Sequence, residues 1–209
     1  VDDLVTAEMS KRQIPGVSLA VIRDGKVIKT AAYGLANVEL GAPVTADTVF
    51  QIQSVTKSFT ATAVMMLEQE GKLSVEDKVS KHLDGTPEAW NQITLRHLLT
   101  HTSGIKDFIN EPTASLRLDV SEEEVLKATA PRPLNFTPGG KYAYSNTNYH
   151  LLAMIIRRHT GKSYGQFLKE KVHDPLGMSS TRIMSWSELV PHRASGYTRK
   201  GGGLRNGDY

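Results

Sequence analysis

Ser54 and Lys57 stand one helical turn apart, in Ser54-Val55-Thr56-Lys57, where the chain begins a helical pattern. Residues at i and i+3 share a helix face, so the hydroxyl and the amine lie within reach of each other. That pairing suits nucleophilic catalysis, because a serine hydroxyl attacks a carbonyl only when a base takes its proton. A lysine in a closed site can act as that base, since desolvation lowers its pKa. A helix start also offers backbone N–H groups to a developing oxyanion. Alone, an S-x-x-K match is expected by chance in a chain of this length. Alone it reads more readily as an ordinary serine helix cap followed by an exposed lysine.

Tyr144-Ser145-Asn146 follows the turn Thr137-Pro138-Gly139-Gly140 and precedes a second helical pattern. A tyrosine beside a cationic lysine has a lowered pKa and can serve as general base. An asparagine amide offers one donor and one acceptor to an amide of a substrate. The plainer reading is a buried aromatic residue and an Asn cap for the helix near Thr147. Three other patterns fail on context. Gly161-Lys162-Ser163-Tyr164-Gly165 fits G-x-S-x-G, but that elbow needs a strand before its serine, and a helix over 151–159 precedes it. The same stretch fails as a P-loop, because Ile156 stands where the first glycine belongs. His97 and His101 have metal-pair spacing but lack the glutamate of a zinc helix, so neither a metal nor a cofactor is expected.

The elements that must position these groups follow from apolar periodicity. A helix over 1–13 carries Leu4, Val5 and Met9 on one face and ends at Ile14-Pro15-Gly16. Strands over 17–22 and 27–33 flank Asp24-Gly25, a strong hairpin signal. From Ser54, a helix places Val55, Phe59, Ala63, Met66 and Leu67 on one face and stops at Gly71. Thr94 caps a short helix through Leu98 and Leu99, and Ser121 to Glu124 forms a capping box. A helix over 148–160 stops at Gly161, Ser163 caps the next, and 199–209 is glycine-rich without periodicity. The fold class is α/β of the α+β type: an antiparallel sheet flanked by helices, with a large helical region. Two strands cannot cover so many amphipathic helices, so the sheet reads as incomplete. The chain reads as one incomplete domain: 1–48 the first helix and strands, 49–190 mainly helical and bearing the motifs, 191–209 a glycine-rich tail.

Composition excludes several classes. A net charge of +3, from 25 Lys+Arg against 22 Asp+Glu, with no basic block, does not fit a nucleic-acid reader. No apolar run approaches the length of a membrane helix. With no cysteine, disulfides, thiolate metal sites and cysteine nucleophiles are all ruled out.

Taken together, the motifs carry a resemblance. Ile14-Pro15-Gly16-Val17, the Asp24-Gly25 hairpin, Ser54 to Phe59, Leu98 to Gly104 with His101-Thr102-Ser103, Pro138-Gly139, Tyr144-Ser145-Asn146 and Pro175-Leu176-Gly177-Met178 occur in that order. In this respect the chain resembles the serine beta-lactamase-like superfamily, nearest to class C beta-lactamases, D-alanyl-D-alanine carboxypeptidases and related esterases. The resemblance implies Ser54 as nucleophile, with Lys57 and Tyr144 as a coupled proton-transfer pair whose order of action stays open. It implies that Asn146 binds substrate and helps hold Lys57, that the Ser54 N–H forms part of an oxyanion hole, and that His101 belongs to a structural turn. It favours a periplasmic or secreted location.

One departure stands out. The family carries Lys-Thr-Gly or His-x-Gly on a late strand, and Lys200-Gly201-Gly202 matches only as a glycine loop. A second polypeptide or self-association would then complete the sheet. The expected function is a serine hydrolase forming an acyl-enzyme on Ser54, acting on a beta-lactam, a D-Ala-D-Ala peptide or a small ester. The alternatives are a non-catalytic penicillin- or peptidoglycan-binding or sensing module, or an inactive truncated fragment.

Overall fold

The computed structural model describes residues 1–110, 121–185 and 187–207. The chain divides into two compact units: Val1–Gln51 with Ser187–Tyr209, and Ile52–Trp186.

In the first unit, helix α1 (Asp2–Arg12) has acidic residues in its first turn and basic ones in its last, which suits the helix dipole. The helix forms where expected, but its apolar residues make no buried face: no side chain is buried and Leu4 is exposed. Strands β1 (Gly16–Arg23) and β2 (Lys26–Asn37) pair antiparallel, and β3 (Ala42–Pro43) extends the sheet in the order β1-β2-β3. Asp24 and Gly25 join β1 to β2 with φ of 52° and 71°, the two left-handed positions of a tight hairpin. β2 runs past the expected strand because Leu35 and Asn37 pair with β3. Gly34 has a φ of 70°, and a Cβ there would lie 2.1 Å from the Pro15 carbonyl oxygen, so no other residue fits.

The glycine-rich end, expected to be patternless, is a second hairpin of β4 (Tyr197–Lys200) and β5 (Gly203–Asn206). Gly201 and Gly202, with φ of 64° and 80°, form its two-residue loop. Alternation of apolar residues does not mark this hairpin, because all of β5 is exposed and only turn chemistry specifies it. Tyr197 anchors it by donating to Glu39 and accepting from the Val38 N–H. Val44 is the one buried hydrophobic residue of this unit among the described residues.

The second unit holds the core and is mostly helical. A 3-10 turn over Gln53–Val55 leads into α2 (Thr56–Gln69). Short helices α3 (Val79–His82) and α4 (Leu95–Leu99) follow, then α5 (Glu122–Thr129). Next come α6 (Asn146–Thr160) and α7 (Tyr164–Leu168), the last running into a wider turn over Lys169–His173. Ala63, Val64 and Leu67 of α2 pack with Leu151, Leu152, Ile155 and Ile156 of α6 around Trp90, Ile93 and Leu98. This i, i+3, i+4 pattern is the one read from the sequence, except that Val55 precedes the helix and is exposed.

The expected caps form. The Thr94 hydroxyl accepts from the His97 N–H while His97 Nδ1 accepts from the Thr94 N–H. Ser121 and Glu124 do the same for α5. Gly161, with a φ of 66°, closes α6, and Ser163 caps α7, so the G-x-S-x-G stretch is a joint between two helices. The whole is a mixed α/β fold with small antiparallel sheets and a large helical region, matching the expected class.

Candidate active site

The second unit brings together every residue singled out for chemistry. Ser54 lies in the 3-10 turn ahead of α2, and Lys57 is in the first turn of that helix. Tyr144 precedes α6 in extended chain, and Asn146 is the first residue of α6. Ser54 Oγ lies 2.6 Å from Tyr144 Oη, and Lys57 Nζ donates to Ser54 Oγ at 3.2 Å. Lys57 also donates to Asn146 Oδ1 at 2.8 Å. Neither Ser54 nor Asn146 caps a helix: the cap positions fall on Val55 and Ser145, and neither makes a side-chain cap bond. The plainer readings of both motifs therefore do not describe this geometry.

The backbone just before the serine is unusual. Gln53 has a φ of 46°, in the left-handed region that non-glycine residues seldom adopt. His101, also left-handed at 56°, sits behind the phenol. Its carbonyl accepts from the Ala143 N–H at 2.9 Å, and its Nδ1 accepts from the Ser145 N–H at 3.2 Å. Its ring stacks on that of Tyr144, with centroids 4.5 Å apart. One residue thus holds Tyr144 through both neighbouring amides and through its ring face.

The same loop continues the pairing. Asn148 accepts from Ser103 Oγ at 2.7 Å. Thr147 Oγ1 donates to the Lys106 carbonyl and accepts from the Phe108 N–H. Asn146 Nδ2 donates to Asp107 Oδ2 at 2.8 Å. Gly104 lets the loop pass close by: its φ is 79°, and a Cβ would lie 2.3 Å from the Phe136 carbonyl oxygen.

The contacts of the cluster shift two of its titratable groups. Burial pushes the Tyr144 phenol up, its largest single influence, but the bonds from Lys57 and Ser54 and the lysine charge outweigh it. The net direction is down. Lys57 Nζ also lies 4.7 Å from the centre of the Tyr144 ring and 5.5 Å from that of Tyr149. Both ring faces attract the ammonium. Tyr149 is fixed in turn by its bond to the Leu99 carbonyl at 3.0 Å. Burial first, then the Lys57 charge, holds the His101 imidazole below its ordinary value. A neutral ring is what an Nδ1 acceptor requires.

Sequence reasoning named Ser54, Lys57, Tyr144 and Asn146 but not Asp107, and it gave His101 no more than a turn. Asp107 follows Gly104 in a loop with no spacing rule tying it to Asn146, which lies 39 residues away. His97 and His101 do not act as a pair: one completes the cap of α4, the other backs Tyr144.

Comparison with known proteins gives a consistent result. Residues 1–208 match the family model described as Beta-lactamase. The chain is 34% identical over 195 residues to Penicillin-binding protein 4* of Bacillus subtilis strain 168, covering 90% of this chain and 42% of that protein. The octameric penicillin-binding protein homologue from Pyrococcus abyssi superimposes with a TM-score of 0.82 at 32% identity, covering 98% of this chain and 49% of that one. The D-amino acid amidase from Ochrobactrum anthropi SV3, complexed with L-phenylalanine, gives 0.82 at 31% identity, over 96% and 57%. The chain spans about two fifths of the length of the curated relatives it matches.

Proposed function

The chain belongs to the beta-lactamase family, and from that footing we propose that it provides the nucleophilic half of a serine acyl-transfer site. In this reading Ser54 Oγ attacks the carbonyl of a beta-lactam, a D-Ala-D-Ala peptide, a D-amino acid amide or a small ester. Its proton passes to the coupled pair Tyr144 and Lys57, with the Tyr144 oxygen, in its phenolate form, as first acceptor, so that the phenol is regenerated as Ser54 Oγ bonds the carbonyl carbon. The C–N or C–O bond of the substrate then breaks, and the leaving group takes the proton back from the pair. Asn146 offers its amide to the substrate and holds Lys57. The Ser54 N–H contributes to stabilising the oxyanion.

The observation that carries this reading is the joint approach of a phenol and an amine to one serine oxygen, at 2.6 and 3.2 Å. The lowered Tyr144 pKa supports the tyrosine oxygen as acceptor, while two aromatic faces and the Asn146 carbonyl hold the Lys57 amine in place. Intact-mass spectrometry after a fluorescent penicillin or an alkyl phosphonate tests it. An adduct of one probe mass on the wild type, lost in Ser54→Ala, is expected. An adduct that persists in Ser54→Ala overturns the assignment.

A second reading is a binding or sensing module that is acylated without turnover. It is favoured by the Lys200-Gly201-Gly202 match straddling the end of β4 and its two-residue turn rather than lying along a strand. One adduct per chain with no product release supports this reading, and repeated turnover excludes it. The octameric Pyrococcus homologue supports self-association as a further proposal, checked by sedimentation velocity.

A further inference from the structure

We propose that Asp107 is a positioning residue of the site, holding the Asn146 amide with its oxygen turned toward Lys57 and so fixing where the lysine sits. The inference rests on the acyl-transfer reading for its consequence in rate, but its geometric content stands apart from it.

The argument begins with hydrogen-bond chemistry. The two ends of an asparagine amide are nearly isosteric, and only their partners decide which way the group faces. An ionised carboxylate accepts and cannot donate. Asp107 Oδ2 lies 2.8 Å from the Asn146 amide, so the end facing it must be the NH2. The carbonyl oxygen is then forced to the other side, 2.8 Å from Lys57 Nζ. Turned the other way, the amide would point its NH2 at an ammonium, donor against donor, and place its oxygen against a carboxylate. Both contacts would become repulsive.

The carboxylate is itself aimed. Asp107 Oδ1 accepts from the Ile109 N–H at 3.2 Å, which fixes the plane of the group and leaves Oδ2 for Asn146. Its neighbours lock the loop to α6, through Lys106 and Phe108 on either side of Thr147. The order of control runs from backbone to carboxylate to amide to amine, and ends at the serine oxygen that Lys57 also contacts. Among the described residues Asp107 makes no hydrogen bond to Ser54, Lys57 or Tyr144, and its only direct influence on them is the small upward push of its charge on the phenol. It acts through Asn146.

Action through another residue has a signature that general destabilisation lacks. A double-mutant cycle on the full chain compares wild type, Asp107→Ala, Asn146→Ala and the double variant, reading the rate of phosphonate labelling of Ser54 and the thermal midpoint. Hydrogen bonds to charged groups are worth enough to slow labelling about tenfold to a hundredfold in Asp107→Ala. In the Asn146→Ala background the same change should cost less than about threefold, because the residue it acts through is gone. Asp107→Glu should regain part of the rate, since it retains an acceptor-only group. Additive losses, or a single-variant rate within twofold of wild type, overturn the inference.

A second measurement needs no reaction. The side-chain NH2 resonance of Asn146, assigned by its loss in Asn146→Asp, should carry one downfield proton in the wild type. In Asp107→Ala that proton should return among the exposed side-chain amides. If wild type is not labelled at all, the acyl-transfer reading fails, and this resonance alone decides Asp107: no shift on removing the carboxylate overturns it.

Discussion

Tyr144→Phe is the sharpest test of the proposed proton path, because it removes one oxygen and leaves nearly everything else. The phenol oxygen lies 2.6 Å from Ser54 Oγ, whereas the ring stacks on His101 and receives Lys57 on its face. Phenylalanine keeps the stacking and the cation–ring contact. Tyr144 is 44% exposed, so the stability cost should be that of a solvent-facing hydrogen bond, about 1 kcal/mol or less. The rate is another matter. A positioned general base contributes about 10²- to 10⁴-fold, equivalent to roughly 3–5 kcal/mol of barrier. Labelling of Ser54 by a phosphonate, followed by intact mass against time, should slow by that factor, with the thermal midpoint within a few degrees of wild type. Lys57, 3.2 Å from the same oxygen, is the rival acceptor and is untouched by the substitution. If Tyr144→Phe is labelled within tenfold of the wild-type rate, the phenol is not the base and the lysine takes that role.

Acid should destabilise this unit well before it reaches the range of ordinary carboxylates. His82, His97, His101, His150 and His159 are all held below their ordinary values, burial being the first cause for each. The unfolded chain binds those protons near pH 6.5 while the folded chain refuses them, so stability is full above that pH and falls below it. Each contributes at most about 1.4 kcal/mol per pH unit, and less where solvent screens it. Urea midpoints should drop between pH 7.5 and 5, and a flat profile would refute the argument. Asp77, drawn down to about 2 chiefly by Lys81, extends the loss from the ordinary aspartate range down to that pH. Gly104→Ala should cost more than about 2 kcal/mol, because it adds a clash at 2.3 Å to a left-handed backbone, and labelling should fall with it. Leu152→Ala empties a fully buried site between α2 and α6 and should cost about 2–5 kcal/mol by chemical denaturation.

Much of this was legible because local rules carry it. Asp24-Gly25 specifies a hairpin whatever surrounds it, and Thr94, Ser121, Gly161 and Ser163 mark helix ends by hydrogen-bond chemistry that acts within four residues. The spacing of Ser54 and Lys57 was readable for the same reason, one helical turn joining them, but only the ordered set of motifs raised the pair above a chance match. Tyr144 and Asn146 were readable only as an ordered motif, since nothing local brings a residue 90 positions away to the serine. Asp107 and the ring of His101 escaped altogether. Their roles exist only in contacts across the chain, and neither a charged loop residue nor a histidine after a short helix has a pattern that announces such a contact. The β4–β5 hairpin was missed for the opposite reason: its turn was written in Gly201-Gly202, but its exposed strands lack the alternation that usually points to a turn.

The placing of the four groups also shows what helix packing supplies and what the loop supplies. Lys57 and Asn146 sit at the starts of α2 and α6, the two helices whose apolar faces meet in the core. Helix packing therefore sets how far apart their backbones lie, because a close-packed interior has no room to slide, while the loop carboxylate of Asp107 turns the Asn146 amide so that its oxygen meets Lys57 at 2.8 Å. Tyr144 has no such support. It lies in extended chain before α6, is substantially exposed, and could swing its phenol away from Ser54 without disturbing any core contact. The loop from His101 to Phe108 supplies what packing does not. It binds the amides on both sides of the tyrosine, covers its ring and pins the amide next to it. A reaction that tolerates little error in the approach of oxygen to carbon needs both kinds of support. In the proposed reaction, the helices would set the separation of Lys57 and Asn146, and the loop the direction of the Tyr144 phenol.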